Sequence, residues 1–373
     1  MPREVLLVQR ILPPYRFRFF QALARSPVIN LTIGFGGPSP DSGLDSVDAP
    51  AEARRLVLRN RFFGPNERAV WSSGLMAQLW RPRFYVMIAE FNPRILSNVI
   101  ACILARITGT RFIWWGHGLS HESADSKWVA RIRLKLISLS SAVILYEEAM
   151  ARKLVELGVS RGKIHVARNT IDTQTIGALR SQEFPSNRFR ILYTGRLVPG
   201  KKLHLLVRAF ADAMPTLDPA VRLTIIGDGT EADTLEAEIQ RLGLEERLEL
   251  LPGIYDETEL APYFNSALFS VTPGYVGLSV IHCLAYGVPV VTAQNEPHSP
   301  EFAALENGVN ARLISRDSVT ELSSALVELA EEKEHLEMLH RNSLESAAKW
   351  EGVENMVAVF EEAITQVSGG LGN

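Results

Sequence analysis

The protein has 373 residues, 46% of them hydrophobic and 22% charged, with a formal net charge of −3. That length exceeds one ordinary core and predicts two domains, and the composition excludes a disordered or fibrous chain. Two cysteines, Cys102 and Cys283, lie in apolar segments, which excludes a disulfide framework and fits a reducing compartment; no apolar run of membrane-crossing length survives Arg94, Asn98 and Arg106, and the amino end runs into a strand without a signal-peptide layout. Charge is uneven along the chain: residues 1–185 hold 25 Lys/Arg against 14 Asp/Glu, the remainder 14 against 28. A basic half points to an anionic contact (lipid heads, a lipid-linked phosphate or nucleic acid) or to surface charge that pairs between domains.

Strand-like apolar runs alternate with amphipathic helical runs throughout. Strands are predicted at 5–9, 29–35, 54–58, 84–89, 110–115 and 142–146, then at 190–194, 222–227, 248–251, 267–271, 288–292 and 311–314. Such alternation gives parallel sheets covered by helices on both faces, an α/β fold that binds ligands beyond the carboxyl ends of its strands. The domains are expected at 1–180 and 188–350, joined by a linker with Pro185, Ser186 and Asn187, and followed by a carboxyl-terminal helix in 351–373 that could pack back on the first domain.

Several strand tips in the first half carry polar groups. The first strand leads into Tyr15, Arg16 and Phe17; aromatics between arginines can bind nucleic acid, but the helix burying Phe19 and Leu23 favours a phosphate-bearing acceptor, with no nucleic acid expected. Glu90 ends the fourth strand and could bind hydroxyls, act as a base, or pair with Arg94. His117, between Gly116 and Gly118, has an open imidazole able to accept from or orient a hydroxyl. His121 is a weaker candidate in the same loop. Residues 127–137 read as a basic amphipathic helix, either resting on an anionic membrane or exposing a solvated basic face.

In the second half, Gly195-Arg196-Leu197-Val198-Pro199-Gly200-Lys201 follows a strand; Arg196 offers a planar fork and Lys201 a compact charge for phosphate oxygens. Ile226-Gly227-Asp228-Gly229 and Pro252-Gly253-Ile254 are further tips where backbone could approach a ligand. The stretch from Pro273 to Val291 reads as a glycine loop, a helix opening on Gly277 and Leu278, a glycine stop and a buried strand. The loop after it brings Glu296, His298 and Glu301 to another carboxyl end. No Asp-x-Asp pair suited to holding a diphosphate through a metal is present, and no metal or cofactor is expected.

These segments, with Gly116-His117-Gly118 and Ala167-Arg168-Asn169-Thr170-Ile171-Asp172, resemble the retaining GT-B glycosyltransferases, in particular family 4, over nearly the whole chain. The resemblance implies two Rossmann-like domains facing across a cleft, the second holding a nucleotide-diphosphate sugar and the first an acceptor, with the chain crossing between domains near 167–172. It implies catalytic roles for His117, Arg196 and Lys201, the last two neutralising the departing diphosphate. Donor contacts would come from Gly195, Gly227, Gly229, Gly253, Ile254, Gly274, Gly277, Leu278, His282 and Glu301, and acceptor contacts from Tyr15, Arg16, Glu90 and His121.

The sequence departs from the family at two places. Many members carry two glutamates seven residues apart, where this chain has Gly274 and His282. Gly274 can reach a sugar only through its backbone N–H, and His282 cannot make a carboxylate's bidentate contact. The expectation is a metal-independent, retaining hexosyl- or deoxyhexosyltransferase acting on a sugar, lipid-linked or other small acceptor in surface polysaccharide or glycolipid assembly, cytoplasmic or peripheral on the inner membrane face. A sugar-nucleotide epimerase and a non-catalytic sugar-nucleotide binder are the alternatives.

Overall fold

The computed structural model describes residues 2–39, 46–64, 68–79, 84–119, 127–181, 188–315, 317–350 and 352–369. The chain divides into two compact units, residues 1–169 with 351–373, and residues 170–350. His121 and the linker residues Pro185, Ser186 and Asn187 lie outside the described residues.

The first unit runs β1 (Arg3–Val8), α1 (Phe17–Ala24), β2 (Ile29–Phe35), β3 (Arg54–Val57), β4 (Arg59–Phe63), β5 (Ala69–Ser73), α2 (Leu75–Leu79), β6 (Val86–Glu90), α3 (Leu96–Thr108), β7 (Arg111–Gly116), α4 (Lys127–Leu139), β8 (Ala142–Leu145), α5 (Glu148–Glu156) and β9 (Ile164–Val166). Seven strands form one parallel sheet in the order β3-β2-β1-β6-β7-β8-β9. Its central strands are apolar at consecutive positions because both faces are covered. Leu6, Val8, Met87, Ala89, Phe112 and Trp114 enter one core, while their neighbours Val5, Leu7, Val86, Ile88, Ile113 and Trp115 enter the other. Strands β4 and β5 pair separately as an antiparallel ribbon. This ribbon and the short β9 carried no sequence expectation, since Arg59-Asn60-Arg61 interrupts any apolar run.

The second unit runs α6 (Thr173–Leu179), β10 (Arg190–Thr194), α7 (Leu203–Ala213), β11 (Arg222–Ile226), α8 (Ala232–Leu242), β12 (Leu248–Leu251), α9 (Glu257–Asn265), β13 (Ala267–Thr272), α10 (Ser279–Ala285), β14 (Val290–Ala293), β15 (Ala311–Ile314), α11 (Val319–Glu331) and α12 (Lys333–Lys349); α13 (Val353–Gly369) then returns to the first unit. Its six strands are parallel in the order β12-β11-β10-β13-β14-β15. Each sheet reverses its winding beside its first strand, between β1 and β6 and between β10 and β13. Doubly wound sheets open a crevice at such reversals, at the carboxyl ends of the strands.

The boundary between units falls at Asn169/Thr170 rather than at Arg180. Asp172 caps α6 by accepting from the Thr175 N–H (3.2 Å), Ile176 enters the core shared with Phe264 and Leu284, and Arg180 donates to the Ala285 carbonyl (3.2 Å). These contacts bind 170–180 to the second unit.

Helix α13 completes the core of the first unit. Phe360 is fully buried, its ring 4.9 Å from Phe19 and 5.0 Å from Trp115, both edge-on. Phe360→Ala is therefore expected to lower stability by about 3–5 kcal/mol, read by urea denaturation. A loss below about 1 kcal/mol would contradict α13 as part of that core.

Candidate functional site

In the second unit, the tips of β12, β11, β10, β13 and β14 lie side by side in sheet order, which brings together the predicted residues of all five loops. The loop after β10 is the centre. Lys201 is buried, and its Nζ donates to the Tyr275 carbonyl (2.7 Å) and lies 4.0 Å from the centroid of the Tyr275 ring. Arg196 is exposed and donates to the Tyr275 hydroxyl (3.2 Å). Two cations from one strand tip thus meet an aromatic residue from the next. Tyr275 was not singled out from the sequence, because nothing local distinguishes it from a loop tyrosine.

Burial pushes the Lys201 pKa down, Arg196 pushes it further, and Glu301 opposes both, leaving it at about 8. Glu301 is itself buried in the short turn Pro300–Ala304 after β14. Its partners Glu296 and His298 are turned to other tasks. Glu296 pairs with Lys202 (2.8 Å), while His298 accepts from the Val276 N–H (3.1 Å), bonds the Ala293 carbonyl (2.7 Å) and stacks on Phe302. Of the three, Glu301 is the one whose carboxylate acts on the Lys201 ammonium.

The glycines of these tips make room mainly for the chain itself. A Cβ on Gly227 would overlap the Gly195 carbonyl, one on Gly229 the Leu197 backbone, and one on Gly253 the Asp228 carboxylate. Neighbouring loops fill the Cβ side of these positions; Leu197 N–H donates to the Asp228 carbonyl (2.8 Å). Gly195 has φ of 145°, a backbone state that suits glycine. Gly274 is similarly enclosed. Its N–H donates to the Lys201 carbonyl (3.1 Å), so the backbone contact expected toward a sugar is already made within the protein, and a Cβ would overlap the Gly200 carbonyl. Helix α10 begins at Ser279, with Leu278 at its cap, two residues beyond the expected opening at Gly277. Ile254 packs half-buried at the tip of β12.

His282 stands on α10 and bonds Glu257 of α9 (Nε2 to Oε1, 2.9 Å), its ring tilted against Phe264 at 4.5 Å; Tyr286 donates to the same carboxylate oxygen (2.6 Å). Burial would raise the Glu257 pKa, but the bonds from His282 and Tyr286 outweigh it and hold the group below the ordinary carboxylate range. The sequence reading missed Glu257. Twenty-five residues separate it from His282, and only the packing of α9 against α10 joins them.

In the first unit, the crevice between β1 and β6 forms a cavity of about 520 Å³ lined by Arg10, Tyr15, Arg16, Glu90, Arg94, His117, Arg133 and Tyr146, among others. Arg16 donates to the Tyr146 hydroxyl (2.8 Å) and to Gln9 (3.2 Å), and its guanidinium lies 4.5 Å from the Trp115 ring. Burial works to lower the Arg16 pKa; Tyr146, Tyr15 and Glu90 outweigh it and hold the guanidinium charged. Exposed His117 meets the Tyr146 ring edge-on at 4.8 Å. The sequence reading did not single out Gln9, Arg133 or Tyr146, which enter from separate elements. Among the described residues no cluster of three or more His, Cys, Asp or Glu is placed to hold a metal ion.

Gly274→Glu would install the residue many family members carry. Because its Cβ would overlap the Gly200 carbonyl, the change is expected to cost about 1–3 kcal/mol, as overpacking does, seen as a lower melting temperature. An unchanged melting temperature would contradict the enclosure of Gly274.

Residues 178–346 match the family described as Glycosyl transferases group 1, and residues 37–175 match Glycosyltransferase Family 4. Among curated relatives, the chain is 28% identical over 194 residues to the N-acetylgalactosamine-N,N'-diacetylbacillosaminyl-diphospho-undecaprenol 4-alpha-N-acetylgalactosaminyltransferase of Campylobacter jejuni, covering 51% of this chain and 50% of that one. It is 25% identical over 239 residues to the lipopolysaccharide core biosynthesis glycosyltransferase LpsE of Rhizobium meliloti, covering 62% and 64%. The chain thus spans less than two thirds of these relatives' lengths. Solved structures of the same fold include Anabaena HepE in complex with UDP-glucose (TM-score 0.69, 18% identity, 97% of this chain and 99% of that) and the sucrose-phosphate synthase of Thermosynechococcus elongatus (TM-score 0.75, 16% identity, 99% and 100%). The chain belongs to the GT-B glycosyltransferases, with two Rossmann-like units of which the second carries the group 1 domain and the first the family 4 domain.

Proposed function

We propose that the protein transfers a hexosyl or deoxyhexosyl group from a nucleotide-diphosphate sugar to an acceptor hydroxyl, with retention of anomeric configuration and without a metal, in surface polysaccharide or glycolipid assembly. The observation that carries this reading is the convergence of Arg196 and Lys201 on Tyr275 beyond the ends of β10 and β13. Breaking the bond between sugar and diphosphate builds negative charge on the leaving oxygens, and fixed cations aimed there lower the barrier. The names of the curated relatives support the transferase class, and the neighbour solved with UDP-glucose supports a nucleotide-sugar donor. Retention and metal independence rest on the family likeness.

The donor side is assigned to the second unit and the acceptor side to the first. In the first unit Arg16, with Arg10, Arg94 and Arg133 in the same cavity, favours an acceptor carrying a phosphate or another anion, and Glu90 and His117 would bind or orient its hydroxyl. Glu257 and His282 together offer the second unit a carboxylate and an imidazole where many family members place one glutamate.

Arg196→Ala and Lys201→Ala are each expected to lower kcat by about 10²–10³-fold, as loss of a transition-state charge stabiliser does, with melting behaviour retained. The measurement is acceptor-dependent release of nucleoside diphosphate. Near-normal rates in both variants would overturn the assignment; an isomerised donor would indicate an epimerase, and binding without turnover a non-catalytic protein.

The low Lys201 pKa gives a pH signature. A bound diphosphate favours the ammonium, so binding takes up a proton once the free lysine has lost its own. The Kd for a nucleoside diphosphate should be flat just below pH 8 and rise by up to about tenfold per pH unit above it. Lys201→Met should remove that rise, as read by calorimetric titration. A wild-type Kd that stays level from pH 8 to 10 would contradict ionic capture by Lys201.

A further inference from the structure

The outer face of α3 and α4 is apolar and cationic at once. Leu96, Ile100, Ile103 and Ile107 lie along one line of α3 at spacings of four, three and four residues, all exposed; Ile107 is 75% exposed. Beside it, α4 presents Trp128, 71% exposed, with Arg131, Ile132 and Lys135 on the same face. The two helices are tied by Cys102 Sγ to the Leu136 carbonyl (3.8 Å) and by Arg106 to the Leu139 carbonyl (3.3 Å). The β4–β5 ribbon borders α3 through the Ser72 N–H to the Ser97 hydroxyl (3.1 Å), and its exposed alternation is Arg59, Arg61 and Phe63. Residues 59–63, 69–79, 96–108 and 127–139 contain no Asp or Glu.

We propose that this α3–α4 face docks on an anionic lipid bilayer. Soluble surfaces seldom line up four large aliphatic side chains beside an exposed tryptophan unless something covers them. Amphipathic faces that lie on membranes combine apolar side chains that enter the acyl boundary, an aromatic at headgroup level and a polar face rich in Lys and Arg. A second copy of this chain fits poorly, because an isologous contact would set these cations against themselves. No helix among the described residues is long and apolar enough to cross a membrane, so the attachment is to one leaflet surface. Neither the donor cations nor the acceptor cavity is needed for this inference, which stands or falls separately from the proposed reaction.

The test is flotation of the full chain with vesicles of phosphatidylcholine alone or with one part in three phosphatidylglycerol. Strong partition onto the anionic vesicles is expected at about 0.1 M salt, falling as salt approaches about 1 M and the screening length shortens from about 10 Å to about 3 Å. Arg131→Gln with Lys135→Gln should weaken partition on the order of twentyfold, at about fivefold per surface cation. Ile107→Ser with Trp128→Ala should weaken it at least as much, by removing the apolar anchor. Arg208→Gln with Arg241→Gln, exposed cations on the second unit, should leave it unchanged. Melting curves would check that each variant folds. No partition, equal partition onto both vesicles, or unchanged partition in both the Arg131/Lys135 and the Ile107/Trp128 variants would overturn the proposal. So would a dimer in light scattering that the Ile107/Trp128 pair dissolves, which would assign the face to a second copy.

Discussion

A buried ammonium organises the second unit. Lys201 sits where water does not compensate its charge, held by one carbonyl, one aromatic face and the field of Glu301. An isolated buried cation is costly, and its pKa falls accordingly. An incoming diphosphate would supply the missing countercharge. The neighbouring loops are built tightly around this arrangement. Gly200 and Gly274 touch backbone to backbone, and the Tyr275 N–H donates to the Gly200 carbonyl (3.2 Å). Side chains at these glycines would force the β10 and β13 tips apart and carry Lys201 away from Tyr275.

The same contact accounts for the departure at Gly274. A glutamate there needs the space that the Gly200 loop fills, so the two features are alternatives within one packing arrangement. His282 departs differently. It brings a carboxylate with it, because Glu257 from α9 bonds the imidazole and the Tyr286 hydroxyl together. A negative charge is present beside α10, although residue 282 does not provide it.

Much of the fold was legible because buried parallel strands must be apolar on both faces. Runs such as Val86–Glu90 and Ala142–Leu145 announce themselves, and short polar turns separate them from amphipathic helices. The β4–β5 ribbon was not legible, since its alternation of arginine with half-buried residues has no apolar run to mark it. The placement of α6 depended on long-range contacts with α9 and α10 that local pattern does not carry. At the candidate site, the candidates on strand tips stand out by position alone. Tyr275, Glu257 and Tyr146 do not, because each is marked only by a hydrogen bond to a partner on another element. At the glycine tips, local pattern shows that close approach is permitted, but only packing reveals which neighbouring loop fills the Cβ side.

The two units differ in how they hold cations. The first gathers several arginines around an open cavity and lays further basic residues over an exposed apolar face, whereas the second buries one lysine at a strand tip. The most direct test of that buried charge is an NMR titration of the Lys201 side chain, followed through its ε-carbon, with and without a panel of nucleoside diphosphates. The expected result is a midpoint near pH 8 in the free protein and a clear upward displacement with at least one nucleoside diphosphate. A midpoint at the ordinary lysine value of about 10.4, unmoved by any of them, would contradict a buried, diphosphate-binding ammonium.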